Sequence, residues 1–385
     1  MTSALPGSDA ADEPVDDPAH DPVLAAPWSH RGSVEAAVML RGGGGPVERR
    51  GFLFLTGATL TAPAHQWLIH EPEPLTSGLS GGRVSAALVD RLPAMIAELR
   101  TMDDVAGGGS VLSLAQHEFG WVAGLLDQAS YDERTSHKLH VALAELGQLA
   151  GWVSYDAGHQ GLAQRYYIAA LHAAHSADDR PLGAHILASM AHQATRQGRP
   201  ADAVTLIETA VAGARGRATA SLLAELYSRQ AYALATLGDA TACTAAISRA
   251  RTQVEQLEPG DDPRWLYWMS PANITAGAGN CLLQLGQPDR ATGLLEEGIA
   301  LFGESLPRDR QIYLTHLADA RARPGSQRDL DAAAGLGKAA IDLSGSLAST
   351  RSVGRIRDLS RQMQPHAQVP AVRDFLEQAR EFLAA

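Results

Sequence analysis

Four glycines, Gly158, Gly198, Gly238 and Gly286, stand 40, 40 and 48 residues apart, and each closes one apolar helical stretch and opens another. Five residues after each comes a small residue: Ala163, Ala203, Cys243 and Ala291. Four further on stands a bulky one (Tyr167, Ile207, Ile247, Leu295), and three beyond that Ala170, Ala210, Ala250 or Gly298. The small residues let two helix backbones approach closely, and the bulky one fills the groove beside them. The glycine supplies the left-handed turn that sends the chain back antiparallel. Such a unit cannot bury its own apolar face, so neighbours must stack and enclose a concave groove. A degenerate fifth unit follows, with Ala332, Leu336 and Ala339 in the same register. Strand-like alternation is almost missing, so the fold class is all-α. About five helical hairpins are expected, closed by capping helices near 351–363 and 372–383.

The chain is long enough for such an array, with 385 residues of which 45% are apolar. Charge is 32 basic against 43 acidic residues without a long basic run, which disfavours indiscriminate binding to nucleic acid or to an anionic membrane. With only Cys243 and Cys281, a disulfide framework or a cysteine-built zinc site is excluded. No run of eighteen apolar residues occurs. Residues 1–30 hold Asp9, Asp12, Glu13, Asp16, Asp17 and Asp21 with several prolines. Burial there cannot offset the ordering entropy, so 1–45 is expected to be a disordered acidic tail ending in the Gly42–Pro46 joint. Residues 46–130 are read as a helical segment packed on the array, with an amphipathic stretch through Trp67-Leu68-Ile69. A helix is expected from about Arg83 to Thr101, between loops at 75–82 and 106–109. Residues 131–385 are the array and its cap.

The register resembles the tetratricopeptide repeat, although these units exceed its usual length of about 34 residues. Particular segments are similar to one actinobacterial family: Arg49-Arg50-Gly51-Phe52-Leu53, Leu60-Thr61-Ala62-Pro63-Ala64-His65, Leu146-Gly147-Gln148-Leu149-Ala150-Gly151-Trp152, Ala163-Gln164-Arg165-Tyr166-Tyr167 and Trp265-Leu266-Tyr267-Trp268. They look like the region downstream of the helix-turn-helix in regulators with a tetratricopeptide body. The resemblance implies a cytoplasmic α-solenoid that senses a signal or binds a partner. It also implies DNA binding through the attached module. Residues 1–45 supply no recognition helix with arginine, asparagine or glutamine for base edges, so direct DNA contact is not expected. The alternative is a DNA-binding regulator with an unrecognised or truncated module. The pair Arg49-Arg50 ahead of Ala62-Pro63-Ala64 also reads as a twin-arginine export signal, against which stand 48 preceding residues.

Projecting the register inward places Gln148, Trp152, Tyr155 and Asp156 on the concave face from the first unit. His185, His192 and Arg196 follow from the second, Glu225, Ser228 and Tyr232 from the third, and Asn273 and Asn280 from the fourth. Amides can bond a peptide backbone, arginine can hold a carboxylate, and rings can stack. A protein or peptide partner or a small signal is therefore expected, and the resemblance implies action in transcriptional or developmental regulation; homodimerisation stays open and membrane binding is not expected. Trp265, Tyr267 and Trp268 lie in the longest insertion, as a lid over the groove or a plug between units. His172-x-x-His175 with His185 and His192 lacks a complete ligand set, so no metal is expected. Gly42–Gly45 lacks a following Gly-Lys-Ser/Thr, Gly277-Ala278-Gly279-Asn280 follows no strand, and no nucleophile elbow appears. No cofactor and no catalysis are expected. An enzyme or accessory protein of secondary metabolism remains the rival, and its mark would be titratable groups converging in the groove, for which Asp156, His185 and His192 are the candidates.

Overall fold

The computed structural model describes residues 21–41, 54–75, 78–79, 81–257, 260, 262–302, 307–344 and 350–384. Among them the chain is helical apart from one two-residue antiparallel ladder, β1 (Gly78–Leu79) with β2 (Ser130–Tyr131). The first helices are α1 (Pro22–Ala25), α2 (His30–Arg41), α3 (Ala58–Ile69), α4 (Ala86–Val89), α5 (Leu92–Ala106) and α6 (Gly108–Gln128). Helix pairs follow: α7 (Glu133–Asp156) with α8 (Gln160–Ser176), α9 (Arg180–Arg196) with α10 (Pro200–Gly213), and α11 (Ala220–Leu237) with α12 (Ala240–Val254). After them come α13 (Pro271–Gln284) with α14 (Pro288–Leu301), α15 (Pro307–Ala322) with α16 (Leu330–Ser344), and α17 (Thr350–Met363) with α18 (Pro370–Ala384).

Local chemistry sets these boundaries. The side chains of Asp132, Asp179, Thr219 and Ser270 accept hydrogen bonds from backbone N–H groups of the first turns of α7, α9, α11 and α13. Those bonds satisfy donors that a helix start leaves open. Within the first four pairs the turn carries Gly158, Gly198, Gly238 or Gly286 with φ of 93, 74, 82 and 71°, a region an L side chain enters only with strain. The small residues of the register, Ala163, Ala203, Cys243 and Ala291, are all fully buried. Each of α7, α9, α11, α13 and α15 also packs on the next odd-numbered helix, forming an inner row, with the even-numbered helices outside.

The fifth unit departs from the expected register. Ala333, Gly337 and Ala340 are the buried set, one residue later than Ala332, Leu336 and Ala339. A Cβ on Gly337 would come within 2.6 Å of the Phe375 ring, so here the close approach is to α18. The slip arises in the preceding turn, which is not built on a single glycine. The Asp289 carboxylate holds it by accepting from Ser326 and Gln327 N–H at 3.1 and 2.8 Å.

The N-terminal reading also needs correction. Residues 1–20, Gly42–Pro46 and Arg49–Leu53 lie outside the described residues, but 21–41 form α1 and α2 rather than a disordered tail. Val34, Ala36, Ala37 and Leu40 are buried where α2 packs on α6 and α8. The Asp21 carboxylate forms an ion pair with Arg165 at 2.7 Å. The indole of Trp28 stacks on His172 at 4.0 Å and meets His175 edge-on at 5.3 Å. Docking on a ready-made surface orders a segment whose own pattern is too sparse to fold.

Helix α3 contains Ala62-Pro63-Ala64 and docks through Trp67, which is fully buried. A Cβ on Gly183 or Gly213 would fall within 2.5 or 2.2 Å of that indole, so the slot between α9 and α10 exists because both positions lack a side chain. The expected helix from Arg83 to Thr101 is broken: Ser85 caps the single turn of α4, and α5 starts afresh at Leu92. The expected loop at 106–109 shrinks to Gly107, where α5 passes directly into α6. Helix α5 packs against both α7 and α15, so the inner row curls until its first and fifth helices share this one neighbour. No helix of the described residues is long and apolar enough to cross a membrane.

Candidate functional site

The inner row surrounds a cavity of about 160 Å³. Helix α9 contributes His185, Ser189 and His192; α11 contributes Glu225, Ser228, Arg229 and Tyr232; α15 contributes Arg308, Asp309, Tyr313 and His316. Spacings of three and four residues put each set on one face of its helix. The opposite faces carry the alanine, leucine and isoleucine that fill the contacts between rows. Arg355 of α17 closes one end, and Arg100, Asp103 and Asp104 of α5 cover another side.

An ion-pair knot closes the curl beneath α5. Arg308 of α15 holds Asp103 of α5 through both Nη atoms, at 3.1 and 2.8 Å, and lies 3.4 Å from Asp104. Its Nη1 is also 3.9 Å from Asp156 at the end of α7, and Asp156 in turn accepts from Gly108 N–H at 3.0 Å. Burial works against the guanidinium charge, but Asp103, Asp156 and Asp309 outweigh it and raise the Arg308 pKa. Asp104 goes the other way: burial raises its pKa to about 6, although the Tyr267 hydroxyl donates to it and Arg308 is close. Such a carboxyl exchanges its proton near neutrality.

On the wall beside this knot, His185 Nδ1 donates to the Glu225 carboxylate at 2.8 Å, with both residues nearly inaccessible to solvent. The Trp265 ring lies flat against the imidazole, at 4.5 Å and an interplanar angle of 22°. The remaining nitrogen, Nε2, has no hydrogen-bond partner among the described residues. With Nδ1 turned to Glu225, Nε2 is the ring nitrogen left unsatisfied beside the cavity. A chain of amide and hydroxyl contacts runs alongside, from Arg100 to Gln148 at 3.0 Å and from Gln148 to Ser189 at 3.1 Å.

The far side is basic. Arg229 donates to His192 Nδ1 at 3.0 Å and lies 5.3 Å over the Trp268 ring. Arg355 donates to His316 Nε2 at 2.6 Å. Burial, with Arg355, Arg196 and Arg323 nearby, pushes the His316 pKa well below the usual imidazole value, so this ring is neutral.

Of the residues projected onto the concave face, Gln148, Trp152, His185, His192, Glu225, Ser228, Tyr232, Asn273 and Asn280 line the cavity. Three do not. Tyr155 is buried beside Trp152 and His192, Asp156 belongs to the Arg308 knot, and Arg196 sits at the exposed end of α9, donating to the Tyr232 hydroxyl at 3.1 Å. In the insertion, Trp265 packs behind His185 of the second unit and not between units three and four, whereas Tyr267 donates to Asp104 of α5 and Trp268 lies beneath Arg229 of α11. His172 and His175 lie under Trp28, away from His185 and His192, and no group of three metal-ligating side chains occurs among the described residues. The sequence reading missed Arg100, Asp103, Asp104 and Arg308, whose meeting depends on the curl and not on any local spacing. Arg229 was within reach, because it follows Ser228 on the face already projected.

A search of known protein families finds no matching family model, and a search of curated proteins finds no matching entry.

Proposed function

We propose that this chain is a tetratricopeptide-like α-solenoid that senses a small polar molecule, or the end of a peptide, in the cavity of its inner row. The reading extends to a regulatory scaffold of the kind found in actinobacterial helix-turn-helix regulators with tetratricopeptide bodies. The observation that carries it is the cavity itself: hydrogen-bonding and aromatic side chains from successive inner helices converge on one space. Buried polar atoms are costly unless something satisfies them, and a ligand does so for His185 Nε2. An occupant that bridges α5, α9, α11 and α15 changes the curvature of the row, and with it the outer surface offered to a partner protein.

The test is direct. The purified protein is incubated with the low-molecular-mass fraction of a cell extract, washed and denatured, and the released compounds are identified by mass spectrometry. Ser228→Trp, which fills the cavity, is the control. A compound released by the wild type and missing from the variant supports the reading; identical releases from both sink it.

A second reading rests on one feature, the His185–Glu225 pair. A carboxylate that orients an imidazole and leaves Nε2 open is the arrangement of a general base. Chemical change of the captured compound on incubation with the protein, lost in His185→Gln, distinguishes turnover from binding.

A further inference from the structure

The cavity holds two charges that the fold has not paired with each other. The Asp309 carboxylate accepts from the neutral Asn273 amide at 3.0 Å. The Arg229 guanidinium donates to the imidazole of His192 and rests on the Trp268 ring. Neither group forms an ion pair within 4.0 Å among the described residues, in contrast to Arg308, the residue before Asp309, which pairs with Asp103 and feels Asp309 only at longer range. Both border the same cavity, and Tyr313 lies in electrostatic range of both. A carboxylate and a guanidinium, both half-buried, that border one space without forming an ion pair make a dipolar site. A ligand complementary to it carries the opposite charges in the opposite order.

Resting on the binding reading above, we propose that the ligand is a small zwitterion. Its ammonium group docks at Asp309 and its carboxylate (or phosphate) at Arg229. Asp309 accepts from the ammonium along the lone pairs that Asn273 leaves open. Arg229 offers the ligand anion N–H groups beyond the Nη1 bonded to His192. Trp268 holds the guanidinium plane in place, so little side-chain freedom is lost on binding. The site therefore selects for two charges at a fixed separation, which separates it from a general anion site.

A length series tests this. Glycine, β-alanine, 4-aminobutyrate and 6-aminohexanoate are titrated against the full chain at constant ionic strength. Binding is followed by Trp fluorescence, to which Trp152 and Trp268 of the cavity contribute among six tryptophans, and by thermal midpoint. Acetate, inorganic phosphate and methylammonium are the single-charge controls. The expected result is saturable binding that peaks at one chain length and exceeds every control at least tenfold. Arg229→Gln and Asp309→Asn each weaken it about tenfold to a hundredfold, the loss typical of a charged hydrogen bond. Arg229→Lys, checked for native circular dichroism, recovers part of the affinity. Binding of phosphate or acetate equal to that of the best zwitterion reduces the site to an anion site and overturns the proposal. No binding in the series, or equal binding by wild type and both variants, overturns it as well. Either failure leaves the cavity reading standing if the extract still yields a captured compound, and that compound's own charges then say what the cavity takes.

Discussion

Two groups of histidines, most of them buried, show how differently one residue type serves this protein. Under the N-terminal helices, His172 and His175 pack against Trp28, and His30 lies 4.6 Å from His140. These rings are packing material: the cause of their low pKa values is burial first, to about 3 for His140 and His172 and about 4 for His175. In the cavity, His185, His192 and His316 each bond to a charged side chain: Glu225, Arg229 and Arg355. The first group contributes shape, and a charge there has nowhere to go. The second group is held in defined orientations, with nitrogens turned by their partners. Burial alone does not mark a site; burial with an orienting partner does.

The sharpest break of this contrast comes from the cavity side. Arg308→Ala leaves Asp103 and Asp156 buried without their counter-ion, and the expected loss in denaturant unfolding is about 3–5 kcal/mol. On the packing side, Trp28→Ala removes a half-buried indole and should cost about 2–3 kcal/mol, with α1 and α2 released first in hydrogen exchange.

Acid tests the histidines themselves. The native state keeps His140, His172 and His175 neutral while the unfolded chain protonates them near pH 6.5, so the unfolded state binds more protons below that value. Stability present above pH 6.5 is lost as pH falls towards 4, at about 1.4 kcal/mol per pH unit for each histidine. Arg180 and His70 disfavour the charge on His175 and Asp178 favours it, while His30 and His137 disfavour it on His140. Urea midpoints at pH 7, 6 and 5 should fall steeply, and an equal midpoint at all three would refute the packing role. The smallest effect belongs to His172→Phe, within about 1.5 kcal/mol at pH 7 because volume and stacking are kept. Its pH dependence should be flatter than that of the wild type, whereas His192→Phe, on the binding reading, should weaken ligand capture.

What could be read from the chain beforehand divides along the same line. The glycine register was legible because each signal is local: a residue with positive φ, then small side chains at helical intervals that meet within one hairpin. The inward projection from that register reached His185, Glu225 and Asn273 for the same reason. The fifth unit slipped by one residue because its turn is built by Asp289, a whole helix pair away in sequence, and not by a glycine. Helices α1 and α2 escaped notice because Val34, Leu40 and Trp28 find their packing surface on α6 and α8, beyond the reach of any periodicity within 21–41. The covering side of the cavity was hidden most completely. Asp103 and Arg308 are 205 residues apart, and only the curl of the row brings them together.

That contact makes α5 a tie-bar between the first and fifth inner helices. A stack of hairpins changes pitch by adding small rotations from one unit to the next. With its ends tied, the row cannot unwind gradually: the Arg308 knot either holds or lets go. On the binding reading proposed above, exchange of an occupant through that side would be gated by a single event, its residence time set by how often the bar opens.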